Sequence, residues 1–183
     1  MPGLKPMCRQ VGDEKQSCCI CEENDCSIAL SNRGDTILFA DATEAITQGS
    51  RCDCIIALRR DNSIEIYAIE LKNINETEPE KLGDVLEPSK LAEKWGNCLK
   101  WSLDIVNKFN SIKNKTFIRN YCILAISVKD KDQDSIQNTT TLIKRRQPSP
   151  KNILRGILPS IRDLEIRVIP CNESITGNVL IKL

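Results

Sequence analysis

Histidine is absent from this 183-residue chain. Its absence removes imidazole metal ligands, histidine general bases and serine–histidine triads together, so carboxylates, lysines and cysteines must carry any chemistry. A long apolar run is missing as well. The first residues, MPGLKPMCRQVGDEK, hold no signal-peptide core, and no stretch is long and apolar enough to span a bilayer. A soluble, intracellular (cytoplasmic) protein without a membrane partner is expected. Asn-x-Ser/Thr sequons at Asn75, Asn114, Asn138 and Asn172 keep an extracellular alternative open, although an asparagine-rich chain produces them by chance. Net charge is nearly nil, 26 basic against 25 acidic residues, so bulk electrostatics do not mark a nucleic-acid binder. No linker-like stretch divides the chain, and one core suffices at this length.

What is present centres on RCDCIIALRRDNSIEIYAIELKN. Cys54 to Leu58 is a short isoleucine-rich run, Arg59 to Ser63 is a polar turn containing Asp-Asn, and Ile64 to Lys72 is a second β-rich run. Together they predict a hairpin. Strand alternation puts Ile64, Ile66, Ala68, Glu70 and Lys72 on one face and Glu65, Tyr67, Ile69 and Leu71 on the other. Both faces are mostly apolar before Glu70, as in a strand covered on both sides, so the charges at its end need partners. Asp53, at the start of the preceding strand, is expected beside the end of the next one. Two carboxylates suit a hard cation such as magnesium, which takes oxygen ligands, and a neighbouring lysine suits orienting or deprotonating a water and neutralising phosphate charge.

Asp53, a gap of sixteen residues, then Glu70-Leu71-Lys72 resembles the motif of the PD-(D/E)xK nuclease superfamily, which includes restriction enzymes, Holliday-junction resolvases and RecB-type exonucleases. The match covers little more than Arg51 to Asn73, and Cys52 stands where the proline usually sits. The resemblance implies a magnesium- or manganese-dependent nuclease that cleaves phosphodiester bonds, in DNA, leaving 3′-hydroxyl and 5′-phosphate ends. It implies that Asp53, Glu70 and the Leu71 carbonyl hold the metal and that Lys72 assists the water. It also implies a glutamate from an upstream helix, for which Glu44 in DATEAITQ is the candidate, ahead of Glu22 and Glu23. Cutting two strands would suit a homodimer.

Downstream, Pro88 to Phe109 predicts an amphipathic helix. Leu91, Trp95, Cys98, Leu99, Ile105, Val106 and Phe109 form its stripe, with Lys90, Lys94, Lys100, Asp104 and Lys108 elsewhere. Trp101 falls at the helix edge, where packing is favoured over base stacking. The glutamine and tyrosine of the RecB-type helix have no equivalent here. Tyr121 to Val128 predicts a buried strand, Asp130 to Thr141 a loop, Thr140 to Ile143 a short strand, Ile153 to Leu158 a short helix ended by Pro159, and Leu164 to Ile169 an edge strand. Earlier strands are expected at Ser27 to Leu30 and Thr36 to Ala40, with Arg33-Gly34-Asp35 as the turn between them. The order predicts a single α/β domain: a central mixed sheet flanked by helices with, by resemblance, a restriction-endonuclease-like core.

Ten cysteines complicate this reading. Cys18, Cys19, Cys21 and Cys26 cluster in a cysteine-rich segment spanning about the first 30 residues, and disulfides, zinc or an iron–sulfur cluster all compete for them. Adjacent cysteines and the lack of a second CxxC pair suit a zinc ribbon poorly. Cys54, Cys98 and Cys122, within apolar runs, read as buried free thiols. Local charge is asymmetric between Thr140 and Arg167, where Lys144, Arg145, Arg146, Lys151, Arg155, Arg162 and Arg167 face only Asp163 and Glu165. Such a patch suits a phosphate backbone or, equally, a solvated surface. The alternative function is a non-catalytic, cysteine-stabilised protein that binds nucleic acid or another protein.

Overall fold

The alternation in Ile64 to Leu71 builds the centre of the molecule, because each face of that strand meets a different apolar layer. The computed structural model describes residues 8–10, 17–23, 26–31, 35–60, 63–73, 86–110, 117–127, 137, 141, 145, 149–171, 173–176 and 179–182. Strands β1 (Cys8–Gln10), β2 (Ser17–Glu23), β3 (Cys26–Ser31) and β4 (Asp35–Asp41) come first, followed by the short helix α1 (Ala42–Ala45). The hairpin strands β5 (Cys54–Arg60) and β6 (Ser63–Asn73) precede the long helix α2 (Pro88–Asn110). Strand β7 (Phe117–Ser127), helix α3 (Pro150–Ile157) and strands β8 (Leu164–Pro170), β9 (Glu173–Thr176) and β10 (Val179–Lys182) complete the order.

Five strands form a mixed sheet in the order β4-β5-β6-β7-β8. β4, β5 and β6 are antiparallel neighbours, whereas β7 runs parallel to β6 and β8 parallel to β7. A parallel neighbour requires a crossover, and α2 supplies it between β6 and β7. The fold is therefore α/β, as the order of predicted elements implied. A second five-stranded sheet, order β1-β2-β3-β9-β10, was not anticipated. Its unusual step is the parallel pairing of β3 with β9, which joins segments far apart in the chain.

The central sheet is covered on both sides. Toward the helices, Ile55, Ala57, Ile64, Ile66 and Ala68 pack with Leu91, Trp95, Leu99 and Val106 of α2 and Leu154 of α3. Toward the second sheet, Ile56, Leu58, Tyr67, Ile69, Leu71 and Ile123 pack with Cys21, Ile28 and Leu30. Burying each isoleucine or leucine here contributes about 2 kcal/mol. Trp101 lies half-buried against the helical core, as packing at a helix edge requires.

Helix α3 starts as its sequence dictates. Ser149 is the N-cap, its hydroxyl accepting from the Asn152 N–H at 3.4 Å, and Pro150 sits in the first turn where its missing N–H costs nothing. Leu158 caps its C-terminal end, just before Pro159. Thr141 is helical, which departs from the short strand expected at Thr140 to Ile143. The loop expected over Asp130 to Thr141 otherwise lies almost wholly outside the described residues.

Among the described residues, three disulfides tie the layers together. Cys21–Cys54 and Cys26–Cys171 join the second sheet to the central one, with Cα separations of 6.0 and 5.0 Å. Cys52–Cys98 joins the segment before β5 to α2, at 6.4 Å. Cys54 and Cys98 are thus bonded, which corrects their reading as free thiols. Burial in apolar runs fits either state, and only their partners distinguish the two. Cys122 is a buried free thiol as expected. Of the competing readings for the N-terminal cluster, disulfide bonding describes Cys21 and Cys26, each with a partner outside the cluster. The side chains of Cys18 and Cys19 lie outside the described residues.

Candidate active site

Asp53, Glu70 and Lys72 converge at one end of the central sheet. Asp53 precedes β5 by one residue, and its N–H donates to the Ile69 carbonyl at 2.9 Å, extending the β5–β6 ladder by one rung. Its carboxylate Oδ2 accepts from the Leu71 N–H at 2.6 Å. Asp53 therefore brackets Glu70 from both sides through backbone groups. The Asp53 carbonyl in turn accepts from the Ala42 N–H at 3.0 Å, which fixes α1 next to it. Glu44 lies on that helix, and its side chain is outside the described residues. Glu22 and Glu23 lie on β2, in the second sheet.

Glu70 points toward the helices, as the period of two requires, and is completely buried. A buried carboxylate is costly unless charged or hydrogen-bonding partners compensate for lost water. Two ammonium groups do so at one oxygen: Lys72 Nζ lies 2.7 Å and Lys94 Nζ 2.5 Å from Oε1. The other oxygen, Oε2, is buried and has no hydrogen-bond partner among the described residues. Unsatisfied buried acceptors are uncommon and cost about 1–3 kcal/mol, so this one calls for a donor or a cation.

Burial opposes the Lys72 charge, but its hydrogen bond to Glu70, with the charges of Glu70 and Asp53, outweighs that and holds its pKa above the ordinary lysine value. Lys72 is therefore an ammonium at neutral pH. Of the two roles considered for it, orienting a water and neutralising charge suit an ammonium, whereas abstracting a proton does not.

Lys94 was not singled out from the sequence; it was placed among the polar positions of α2. Its spacing carried a signal, because Lys94 falls three residues after Leu91 and four before Cys98, within the stripe that faces the sheet. A charge inside an apolar stripe requires a buried partner, and Glu70 is that partner.

The segment before Asp53 is fastened to α2. Asn97 Nδ2 donates to the Ser50 carbonyl at 2.7 Å, and Ser50 Oγ donates to Glu93 Oε1 at 3.0 Å. Arg51 donates to the Ile46 carbonyl. Gly49 sits at φ +82°, and a Cβ there would meet Asn97 Nδ2 at 3.1 Å, so glycine serves both the left-handed backbone and the close approach. The Cys52–Cys98 bond completes this seam. Cys52 and Cys54 flank Asp53 and are bonded to opposite layers, Cys52 to α2 and Cys54 to β2.

The predicted basic residues sit on other elements. Lys151 and Arg155 lie on α3, half-buried and exposed respectively, Arg145 is exposed, and Lys144 and Arg146 are outside the described residues. Arg167 is engaged, its guanidinium donating to both oxygens of Glu165 at 2.6 and 3.1 Å.

The oxygen-only donor set suits a hard divalent cation, and the unpartnered Glu70 Oε2 is where such an ion would find its strongest ligand. Among the described residues no group of three or more histidine, cysteine, aspartate or glutamate side chains could hold a metal, so two carboxylates would have to share the ion with water, backbone or phosphate oxygens. Also among them, no helix is long and apolar enough to cross a membrane. The site is thus one buried carboxylate, Glu70, ion-paired to two lysines at a strand end, beside the half-buried Asp53. Compared with protein families, curated proteins and solved structures, the chain matches none.

Proposed function

We propose that the protein is a metal-dependent nuclease hydrolysing phosphodiester bonds, with DNA as substrate. The observation that carries this reading is the buried Glu70 carboxylate, one oxygen ion-paired to lysines and the other without a hydrogen-bond partner among the described residues, beside the carboxylate that Asp53 brings to the same strand end. A mixed sheet with one acid ahead of β5 and an acid-x-lysine on β6 supports the restriction-endonuclease-like core that the motif implies. Bound between Asp53 and Glu70, magnesium or manganese would supply Lewis-acid polarisation of phosphate oxygens and a more acidic water.

The chain's own residues do the rest. Glu70 and Asp53 supply negative charge on fixed backbone, with Leu71 between them and Lys72 offering its carbonyl as a further oxygen. Lys72 donates hydrogen bonds to a water or phosphate oxygen and offsets charge developing during attack. The second sheet closes one face of the central sheet and the helices the other, leaving the strand end as the side on which nucleic acid approaches. Exposed Arg145 and Arg155 offer bidentate contacts to phosphate. Three disulfides suit an oxidising compartment, or intracellular life where such bonds persist.

The same disulfides, with Glu70 already ion-paired, favour the second reading, a cross-linked binding scaffold without catalysis. Cleavage assays on plasmid, single-stranded and branched DNA with magnesium or manganese separate the two. We expect cleavage that Lys72→Ala abolishes while circular dichroism stays native. A pure, folded protein inert toward every substrate would refute the nuclease reading and favour the scaffold.

A further inference from the structure

Two lysines converge on one carboxylate oxygen, although a single ammonium would neutralise it. Lys72 comes from the same strand as Glu70, two residues on, and Lys94 reaches across from α2. Lys94 is held there by more than its ion pair. It lies in the turn between Leu91 and Trp95, both buried in the core, and Cys98, one turn on, is bonded to the residue before Asp53. The helix thus presents Lys94 to Glu70 on a backbone fixed to the segment before β5 that carries the other acid.

Charge counting gives this a consequence. Asp53, Glu70, Lys72 and Lys94 sum to zero. With Lys72 alone the cluster would be one unit negative, a better trap for a cation but a poorer match for an anionic substrate. A divalent ion raises the four-group cluster to two units positive. That complements a phosphodiester, which carries one negative charge per phosphate and gains another as attack proceeds.

We propose that Lys94 competes with the divalent cation for Glu70. In the ion pair it holds the buried carboxylate in place; in the cation complex it turns its ammonium toward the phosphate of a nucleic-acid strand. It thereby weakens cation binding to the free protein and strengthens it when phosphate is present. This rests on the nuclease reading for its substrate, and on Glu70 alone for its cation competition.

The test compares wild type with Lys94→Gln and Lys94→Arg. Manganese binding is measured by electron paramagnetic resonance without nucleic acid, and cleavage by single-turnover assay. Removing an ammonium a few ångströms from a divalent ion should tighten manganese binding by about tenfold. Losing one preorganised charge should slow cleavage by about 10²-fold, with Lys94→Arg restoring most of the rate. If Lys94→Gln does not fold, Lys94→Met, which keeps the apolar stem, takes its place. Unchanged or weaker manganese binding in the neutral variant would overturn the proposal, as would no manganese binding by wild type. If wild type binds manganese but cleaves nothing, the nuclease reading fails, and the affinity comparison still decides whether Lys94 opposes the cation.

Discussion

Removing the Cys52–Cys98 bond by Cys52→Ala with Cys98→Ala should destabilise the protein by about 2–4 kcal/mol. The bond spans 46 residues. In the chain-entropy relation a loop of that length restricts the unfolded chain by about 13 cal/mol/K, or about 4 kcal/mol at 25 °C. That figure is an upper bound, because residual structure in the unfolded chain already restricts part of the loop. By the same relation the 145-residue separation of Cys26 and Cys171 gives about 5 kcal/mol. The corresponding double variant should therefore fall furthest.

Guanidinium titration followed by tryptophan fluorescence is the assay, since Trp95 is fully buried against the sheet. With a slope of about 4 kcal/mol/M, the midpoint should drop by roughly 0.5–1 M. Reductant added to wild type should lower it at least as far. A midpoint that neither the double variant nor reductant moves would refute the reasoning and the bond with it. Thiol counting gives an independent reading: of ten cysteines, six lie in the three bonds, so denatured, unreduced protein should show at most four free thiols.

Two further outcomes follow from buried groups. Burial pushes the Cys122 thiol far above its ordinary range. Iodoacetamide should therefore leave it unmodified in folded protein even at pH 9, and mass spectrometry showing rapid native-state alkylation would contradict its placement. Glu70→Gln keeps the shape of the side chain but leaves Lys72 and Lys94 side by side without their shared anion. Because both lysines are partly exposed, at 28% and 29%, solvent absorbs part of the loss. Stability should fall by about 1–3 kcal/mol in chemical denaturation, and a variant as stable as wild type would show that the ion pairs contribute nothing to the fold.

The parts legible in the sequence were those governed by local periodicity. Ile64 to Lys72 carries a period of two strong enough to assign each side chain to its face, and Pro88 to Phe109 carries a helical stripe that the structure follows. The meeting of Asp53 with Glu70 followed from antiparallel pairing of adjacent strands. What was hidden depends on distant pairing. The second sheet is assembled from short strands whose cysteines obscure any apolar pattern, and its β3–β9 pairing leaves no local trace. Disulfide connectivity cannot be deduced from spacing, so Cys54 and Cys98 looked like ordinary core thiols. Lys94 was missed for a different reason: a lysine on a helix is usually solvated, and only its place in the stripe contradicts that.

The parallel step from β3 to β9 sets an order of events during biosynthesis. On the ribosome β1 to β3 emerge early, but β3 must wait for β9, whose Glu173 is made 145 residues after its partner Ile28. Until then its edge stays open, and Cys26 remains a thiol while Cys171 is still in the exit tunnel. Strands β4 to β7 can pair meanwhile, while β8, which ends at Pro170, emerges together with Cys171, so the closing oxidation comes late and seals a partly formed nascent core.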